Sequence, residues 1–203
     1  MNLNLEGIKI GFALTGSHCT IGGIIPQVDK LVAAGARVTP IVSSSVQHAN
    51  TRFGKAENIL AELEKVTYNK VIKSIVEVEP FGPQKYFDLI VIAPCTGNTL
   101  AKLAQGVTDT TVLMAAKGQL RNLKPVVLAL ATNDGLGLNA KNIGILLSTK
   151  NVFMVPFGQD DPFQKPNSLV AKLDLLLPTI EKAMKREQLQ PVLRIDHAWS
   201  CSG

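Results

Sequence analysis

Three short stretches carry residues able to hold an anion: Thr15-Gly16-Ser17, Ser43-Ser44-Ser45 and Thr96-Gly97-Asn98-Thr99. Each follows an apolar run, and each offers small hydroxyl and amide groups where a solvated loop would carry large polar ones. Hydroxyls, glycine-exposed amides and a helix start bind phosphate together, because peptide N–H groups point outward there and the helix dipole favours negative charge. Turn formation and capping explain any one stretch by itself; all three together favour a phosphate crevice. What is missing narrows the ligand. Gly11-x-x-x-x-Gly16-Ser17 lacks the lysine of a Walker A loop, so a metal-bound triphosphate has no anchor. The first turn does not spell G-x-G-x-x-G, and Val42 is followed by serines where an acidic residue would grip an adenosine ribose. A mononucleotide with one terminal phosphate fits better than a dinucleotide.

Other candidates are sparser. His18 lies in the first turn and is placed to accept a proton from a reacting carbon; an exposed turn histidine is the alternative reading, as for His48 in the following polar loop and His197 in the tail. Cys19, Cys95 and Cys201 are odd in number and far apart, with no C-x-x-C pair and no zinc-ligand spacing, which predicts a reduced, cytoplasmic protein without a metal site. Cys19 and Cys95 are expected to be small buried or semi-buried residues rather than nucleophiles. Asp109 reads as a cap or charge partner of a following helix, and Asp134, Asp160 and Asp161 as turn residues.

The elements that must position these groups follow from periodicity. Apolar runs at Ile8–Leu14, Arg37–Val42, Phe87–Ala93, Val126–Ala131 and Val152–Val155 read as strands, several of them buried on both faces as in a parallel sheet. Val71–Val78 is a further possible strand. Helical spacing is predicted after the first turn up to Gly35, over Glu57–Val66, from Leu100 onward, from an Asn139 cap to Leu147, and over Leu169–Lys185. Pro26 is expected in the first turn of its helix or at a kink, and Pro40 at a sheet edge or bulge. Residues 43–54 and 158–167 read as loops. Strands alternating with helices predict a Rossmann-like, doubly wound parallel sheet flanked by helices, an α/β fold whose ligands sit beyond the carboxyl ends of the strands. At 203 residues the chain suits one domain, over 1–187, with a tail over 188–203.

Charged residues make up only 18% of the chain, below the usual share of about a quarter, so a covered subunit interface is expected and disorder is excluded. The net charge of +5 comes without a run of like charges, and two Tyr and one Trp make no stacking platform, so no nucleic-acid partner is expected. No apolar run approaches the roughly 20 residues of a membrane span.

Ile10-Gly11-Phe12-Ala13-Leu14-Thr15-Gly16-Ser17 and the block from Asp88 through Pro94-Cys95-Thr96-Gly97-Asn98-Thr99 to Asp109 resemble the flavoprotein superfamily of oligomeric FMN-binding decarboxylases, which includes phosphopantothenoylcysteine decarboxylase and the flavin prenyltransferases. The resemblance covers about residues 8–157. It implies bound FMN at subunit contacts of a homo-oligomer, a trimer or a multiple of one. Thr15, Gly16 and Ser17, with Ser43 beside them, would meet the FMN phosphate or ribityl chain. Thr96, Gly97, Asn98 and Thr99 take the place of the family's Pro-Ala-Ser-Ala-Asn-Thr element and would meet phosphate and isoalloxazine edge.

The chain also departs from those decarboxylases. No histidine occurs between Thr51 and Pro94, where they carry a catalytic one, and Leu130-Ala131-Thr132-Asn133-Asp134-Gly135 stands where they carry Pro-x-Met-Asn-x-x-Met. Together with Leu120-Arg121-Asn122, the stretch 156–162 and Lys165-Pro166-Asn167-Ser168, these features are similar to one branch of the family over about 190 residues. Its members are the second subunits of two-subunit oxidoreductases that aromatise a reduced ring to a dicarboxylate during sporulation. The companion subunit of that branch looks like a nicotinamide-binding protein, so the resemblance implies this partner, with NADP as a hydride acceptor on it. A small dicarboxylate substrate calls for cations, and Lys117, Arg121 and Lys165 are the candidates beside His18. A flavin-free accessory protein and a flavin-dependent decarboxylase or prenyltransferase remain the alternatives.

Overall fold

Four strands buried through most of their length form the centre of the molecule: β1 (Lys9–Leu14), β2 (Arg37–Val42), β3 (Leu89–Cys95) and β4 (Val126–Thr132). The computed structural model describes residues 5–194. Between and after these strands the chain forms α1 (His18–Ala33), α2 (Ser44–His48), α3 (Ala56–Thr67), α4 (Ile75–Val78), α5 (Gly97–Ala104), α6 (Thr111–Arg121) and α7 (Ala140–Leu147), then β5 (Val152–Met154), β6 (Phe157–Gly158), β7 (Leu169–Ala171) and α8 (Leu176–Met184). β1 pairs in parallel with β2 and β3, β3 with β4, and β4 with β5. This 2-1-3-4-5 order reverses direction between β1 and β3, and ligands of such sheets bind at that reversal.

Alternation along each strand assigns the two faces. Phe12 and Leu14 with Val91 and Ala93 meet α1, α3 and α8 on one side. Ala13, Ile90, Ile92 and Leu128 meet α5, α6 and α7 on the other. Both faces are covered, as a parallel sheet requires. Pro40 sits where its missing N–H does no harm: Arg37 N and Ser43 N bond inward to Ile8 and Leu14, while Val42 N bonds outward to Ile72. The same two-residue period turns the Pro40 nitrogen to the outer edge.

Several elements differ from the sequence reading. The loop over 43–54 contains α2. Val71–Val78 is not a strand; Ile72 makes one bridge to Ile41, and the Ser74 hydroxyl and Glu77 carboxylate then form a capping box that starts α4. β3 runs on through Pro94 to Cys95 with a register shift after Ile92. Leu169–Lys185 is not one helix, because β7 occupies its start and runs antiparallel to the end of β4 before α8 begins. Pro26 lies in the middle of α1 rather than its first turn; it is exposed, and the carbonyl it denies a partner belongs to exposed Gly22, which water can reach. Residues 188–194 lie against the sheet: Gln188 bonds both backbone groups of Met154, and Val192 and Arg194 bracket Phe157.

Candidate functional site

The three polar turns meet at the carboxyl ends of β1, β2 and β3. Thr15 closes β1 with a buried hydroxyl that donates to the Pro94 carbonyl at 2.6 Å and accepts from Thr96 N at 3.0 Å. Its side chain therefore laces β1 to β3. A Cβ on Gly16 would lie 2.5 Å from Ser45 Oγ, so the glycine lets the β2 turn close onto the β1 turn. Ser17 precedes α1 without capping it by its side chain; its hydroxyl instead accepts from Thr20 at 2.8 Å. His18 Nε2 lies 3.3 Å from Ser45 Oγ. Two buried side-chain atoms in this corner, His18 Nδ1 and Ser43 Oγ, have no hydrogen-bond partner. Unsatisfied buried groups are costly and uncommon, and a pair beside a sixteen-residue helix start fits an incoming hydrogen-bonding ligand.

The start of α5 is built differently. Thr96 caps it by accepting from Thr99 N, and the two threonine hydroxyls are 3.2 Å apart. Asn98 is exposed in the first turn and Thr99 is buried. Opposite Gly97, the last residue of β4, Thr132, donates its hydroxyl to Asp134 Oδ1, and Asn139 Nδ2 donates to both Asp134 oxygens at 2.9 Å. Asn142 in turn donates to Asn139 Oδ1. Asn139 stands at the N-cap of α7, as its sequence reading has it, but its side chain is spent on Asp134 and makes no cap hydrogen bond. The Thr132 hydroxyl, and then Asn139, hold the Asp134 carboxyl below the usual aspartate range. A Cβ on Gly97 would lie 2.5 to 2.9 Å from Thr132, Asn139 and Asp134, so this network packs directly on the glycine.

Between the two helix starts lies an open cleft of about 410 Å³, within the range of small-molecule sites. Gly16, Ser17, Thr96 and Gly97 line one side, Thr132 and Asn133 the floor beyond β4, and Asp160 and Lys165 of the β6–β7 loop the far rim. Lys165 Nζ stands 3.5 Å from an Asp160 oxygen.

Of the four expected catalytic residues, His18 reaches this corner and Lys165 lines the cleft. Lys117 and Arg121 do not come to it: both are exposed on α6, and Arg121 lies beside Gly82, at the end of the sheet where the strands begin. His48 is exposed at the end of α2, and His197 and Cys201 lie outside the described residues. Exposed Cys19 lines the cleft, whereas burial pushes the Cys95 thiol up to about 12, an inert position for a nucleophile. Asp109 is a charge partner of Lys102 at 2.6 Å, and the cap of α6 is Thr110. Sequence alone reads Asp134 and Asp160 as turn residues and singles out neither Thr132 nor Asn133; the signal for Thr132 is its place, closing a buried run as Thr15 and Thr96 close theirs. Among the described residues no three His, Cys, Asp or Glu side chains gather in a way that could hold a metal ion, and no helix is long and apolar enough to cross a membrane.

A 2-1-3-4-5 sheet with two helix starts facing one cleft at the β1/β3 reversal defines a doubly wound α/β protein of the class whose ligands bind at that reversal. The family model for flavoproteins matches residues 1–175, and the chain belongs to that family. It is similar to the B subunit of dipicolinate synthase from Bacillus subtilis (strain 168), 55% identical over 190 residues that span 94% of this chain and 95% of that protein. The crystal structure of the corresponding dipicolinate synthase B subunit from Bacillus halodurans matches with a TM-score of 0.88 at 48% identity, covering 96% of this chain and 100% of that one. DmrB of Burkholderia xenovorans, solved in complex with FMN, shares the fold with a TM-score of 0.67 at 18% identity over 88% of this chain and 96% of that one.

Proposed function

We infer that this chain is the B subunit of a dipicolinate synthase and that it contributes an FMN site to an oxidation completed with the companion A subunit. The observation that carries the reading is the cleft at the β1/β3 reversal, in a chain that spans 95% of a relative so named at 55% identity. The start of α1, with Gly16, Ser17, His18 and Ser43, suits the phosphate, and the turn over Thr96–Thr99 with Thr132 suits the ring. The residues present suit the group: hydroxyl and glycine residues of the first turn line the cleft, and two buried polar atoms just behind them, His18 Nδ1 and Ser43 Oγ, lack partners.

Conversion of a dihydrodipicolinate to pyridine-2,6-dicarboxylate removes one hydride and one proton from the ring. FMN, when bound, supplies a hydride acceptor, and NADP on the companion protein is a second one. His18 is the candidate for the proton and Lys165 for a substrate carboxylate. Lys117 and Arg121 serve the substrate only if a neighbouring copy brings them to the cleft. The setting is the cytoplasm of the mother cell of a sporulating bacterium, in a homo-oligomer such as a trimer or its multiple; exposed Leu138 and Phe163, beside the cleft on the turns after β4 and β6, are surface for such contacts.

Two measurements test this. The freshly purified protein should show flavin absorbance and release FMN on denaturation, and Asn98→Asp should lose that flavin by replacing the amide donor of the turn assigned to the ring with a carboxylate. Ring oxidation, followed by the absorbance of the aromatic product, should require both proteins. A companion that turns over equally fast alone would overturn the assignment, and a colourless chain that refuses added FMN yet activates its companion would favour the flavin-free accessory reading.

A further inference from the structure

The hydrogens around Asp134 all run one way. A carboxylate only accepts, so Thr132 must give its hydroxyl proton to Asp134 Oδ1, and Asn139 and Asn142 must present their amide donors in the same direction. The hydroxyl oxygen keeps two lone pairs. One faces Asp134 N at 3.4 Å, a long contact. The other has no partner among the described residues, and Thr132, though only 8% exposed and packed beside Gly97, lines the cleft. A threonine free to turn could serve a ligand as donor or acceptor; this one is fixed as an acceptor. Its surroundings agree in sign: the nearest charge, Asp134, disfavours an anionic oxygen at this end, whereas Lys165 and the start of α1 receive anions elsewhere in the cleft.

We propose that Thr132, its proton held by Asp134, is a specificity residue that accepts a hydrogen bond from an N–H donor on the ring of the bound ligand. This rests on the cleft being the ligand site, as in the reading above. The ligand class is a flat or reduced heterocycle that carries an anionic group at one end and a ring N–H at the other. Such a donor comes from two sources, the imide N–H of a flavin or the ring nitrogen of a reduced pyridine dicarboxylate. Asp134 touches no ligand in this scheme and acts as a positioning residue.

Calorimetric titration of the full chain with two probe pairs separates the sources. FMN is compared with 3-methyl-FMN, whose imide donor is blocked, and piperidine-2,6-dicarboxylate, which carries ring N–H, with pyridine-2,6-dicarboxylate, which at neutral pH does not. The wild-type chain should prefer the donor-bearing member of at least one pair by about tenfold. Thr132→Val, which keeps the shape and removes the acceptor, should abolish that preference, and Thr132→Ser should retain it. Asp134→Asn should reduce it, because the hydroxyl is then free to turn its proton toward the cleft. No preference in either pair, or a preference that survives in Thr132→Val, overturns the proposal. Failure of FMN to bind while the dicarboxylate pair is discriminated removes the flavin reading alone.

Discussion

At the start of α1 two buried atoms, His18 Nδ1 and Ser43 Oγ, lack partners, and Ser17 does not cap the helix; at the start of α5 Thr96 bonds to Thr15 and Thr99, and Gly97 is packed against the Asp134 network. Both are turns between a parallel strand and a helix at the same end of one sheet. The first keeps hydrogen-bonding capacity in reserve, and the second spends most of it on holding β3, β4 and α5 together, with Asn142 Oδ1 at the back of its network left without a partner. A helix start facing a cleft can take up a ligand's anion where its neighbours leave donors or acceptors unsatisfied, whereas one whose neighbours bond chiefly to one another acts mainly as scaffold, with its polarity set by the groups behind it.

Substitutions of the interlocked residues Thr96 and Gly97 at the second turn should therefore cost stability, and those at the first should cost ligand. Gly97→Ala is the most severe expected change, since its methyl group would displace Thr132, Asn139 and Asp134 together; chemical denaturation should show a loss of about 1–3 kcal/mol. Thr96→Ala removes the cap of α5 and the partner of Thr99, and should cost about 1 kcal/mol in the same assay.

Smaller still is the effect of the Asp134 charge, which pH reads directly. Its carboxyl titrates below the ordinary aspartate range, so ionised Asp134 contributes stability that is complete above about pH 4 and is lost as pH falls through the folded-state value. The stability gap between wild type and Asp134→Asn should be constant near neutrality and close on acidification; a gap that widens in acid would contradict the direction assigned to these hydrogen bonds. Ser43→Ala sharpens the contrast from the other side. It removes a hydroxyl without a partner, so unfolding should shift by no more than about 0.5 kcal/mol while FMN binding weakens measurably.

The apolar runs made the fold legible from sequence: strands at Lys9–Leu14, Leu89–Cys95 and Val126–Thr132 are long, buried and closed by threonine, and periodicity marks them without help. Shorter elements escaped because tertiary pairing decides them. Leu169–Ala171 is apolar enough for either state, and it is a strand because Ala131 and Thr132 offer it an edge. The first turn, proposed for the phosphate, stood out because hydroxyls and glycine stand together in the chain. The Asp134 network was not, since Thr132, Asp134, Asn139 and Asn142 have ordinary turn and capping roles until the fold closes them on Gly97. Lys117 and Arg121 show the converse error: they neighbour informative segments in sequence, yet α6 carries Arg121 to the far end of the sheet.

Equilibrium titration of the full chain with FMN and with riboflavin, read by flavin fluorescence, tests the first turn most directly. The two ligands share a ring and differ by the phosphate assigned to the start of α1. FMN should bind more tightly by about tenfold or more, with the advantage reduced in Ser43→Ala. Equal affinity for the two, or binding of neither, would contradict that assignment.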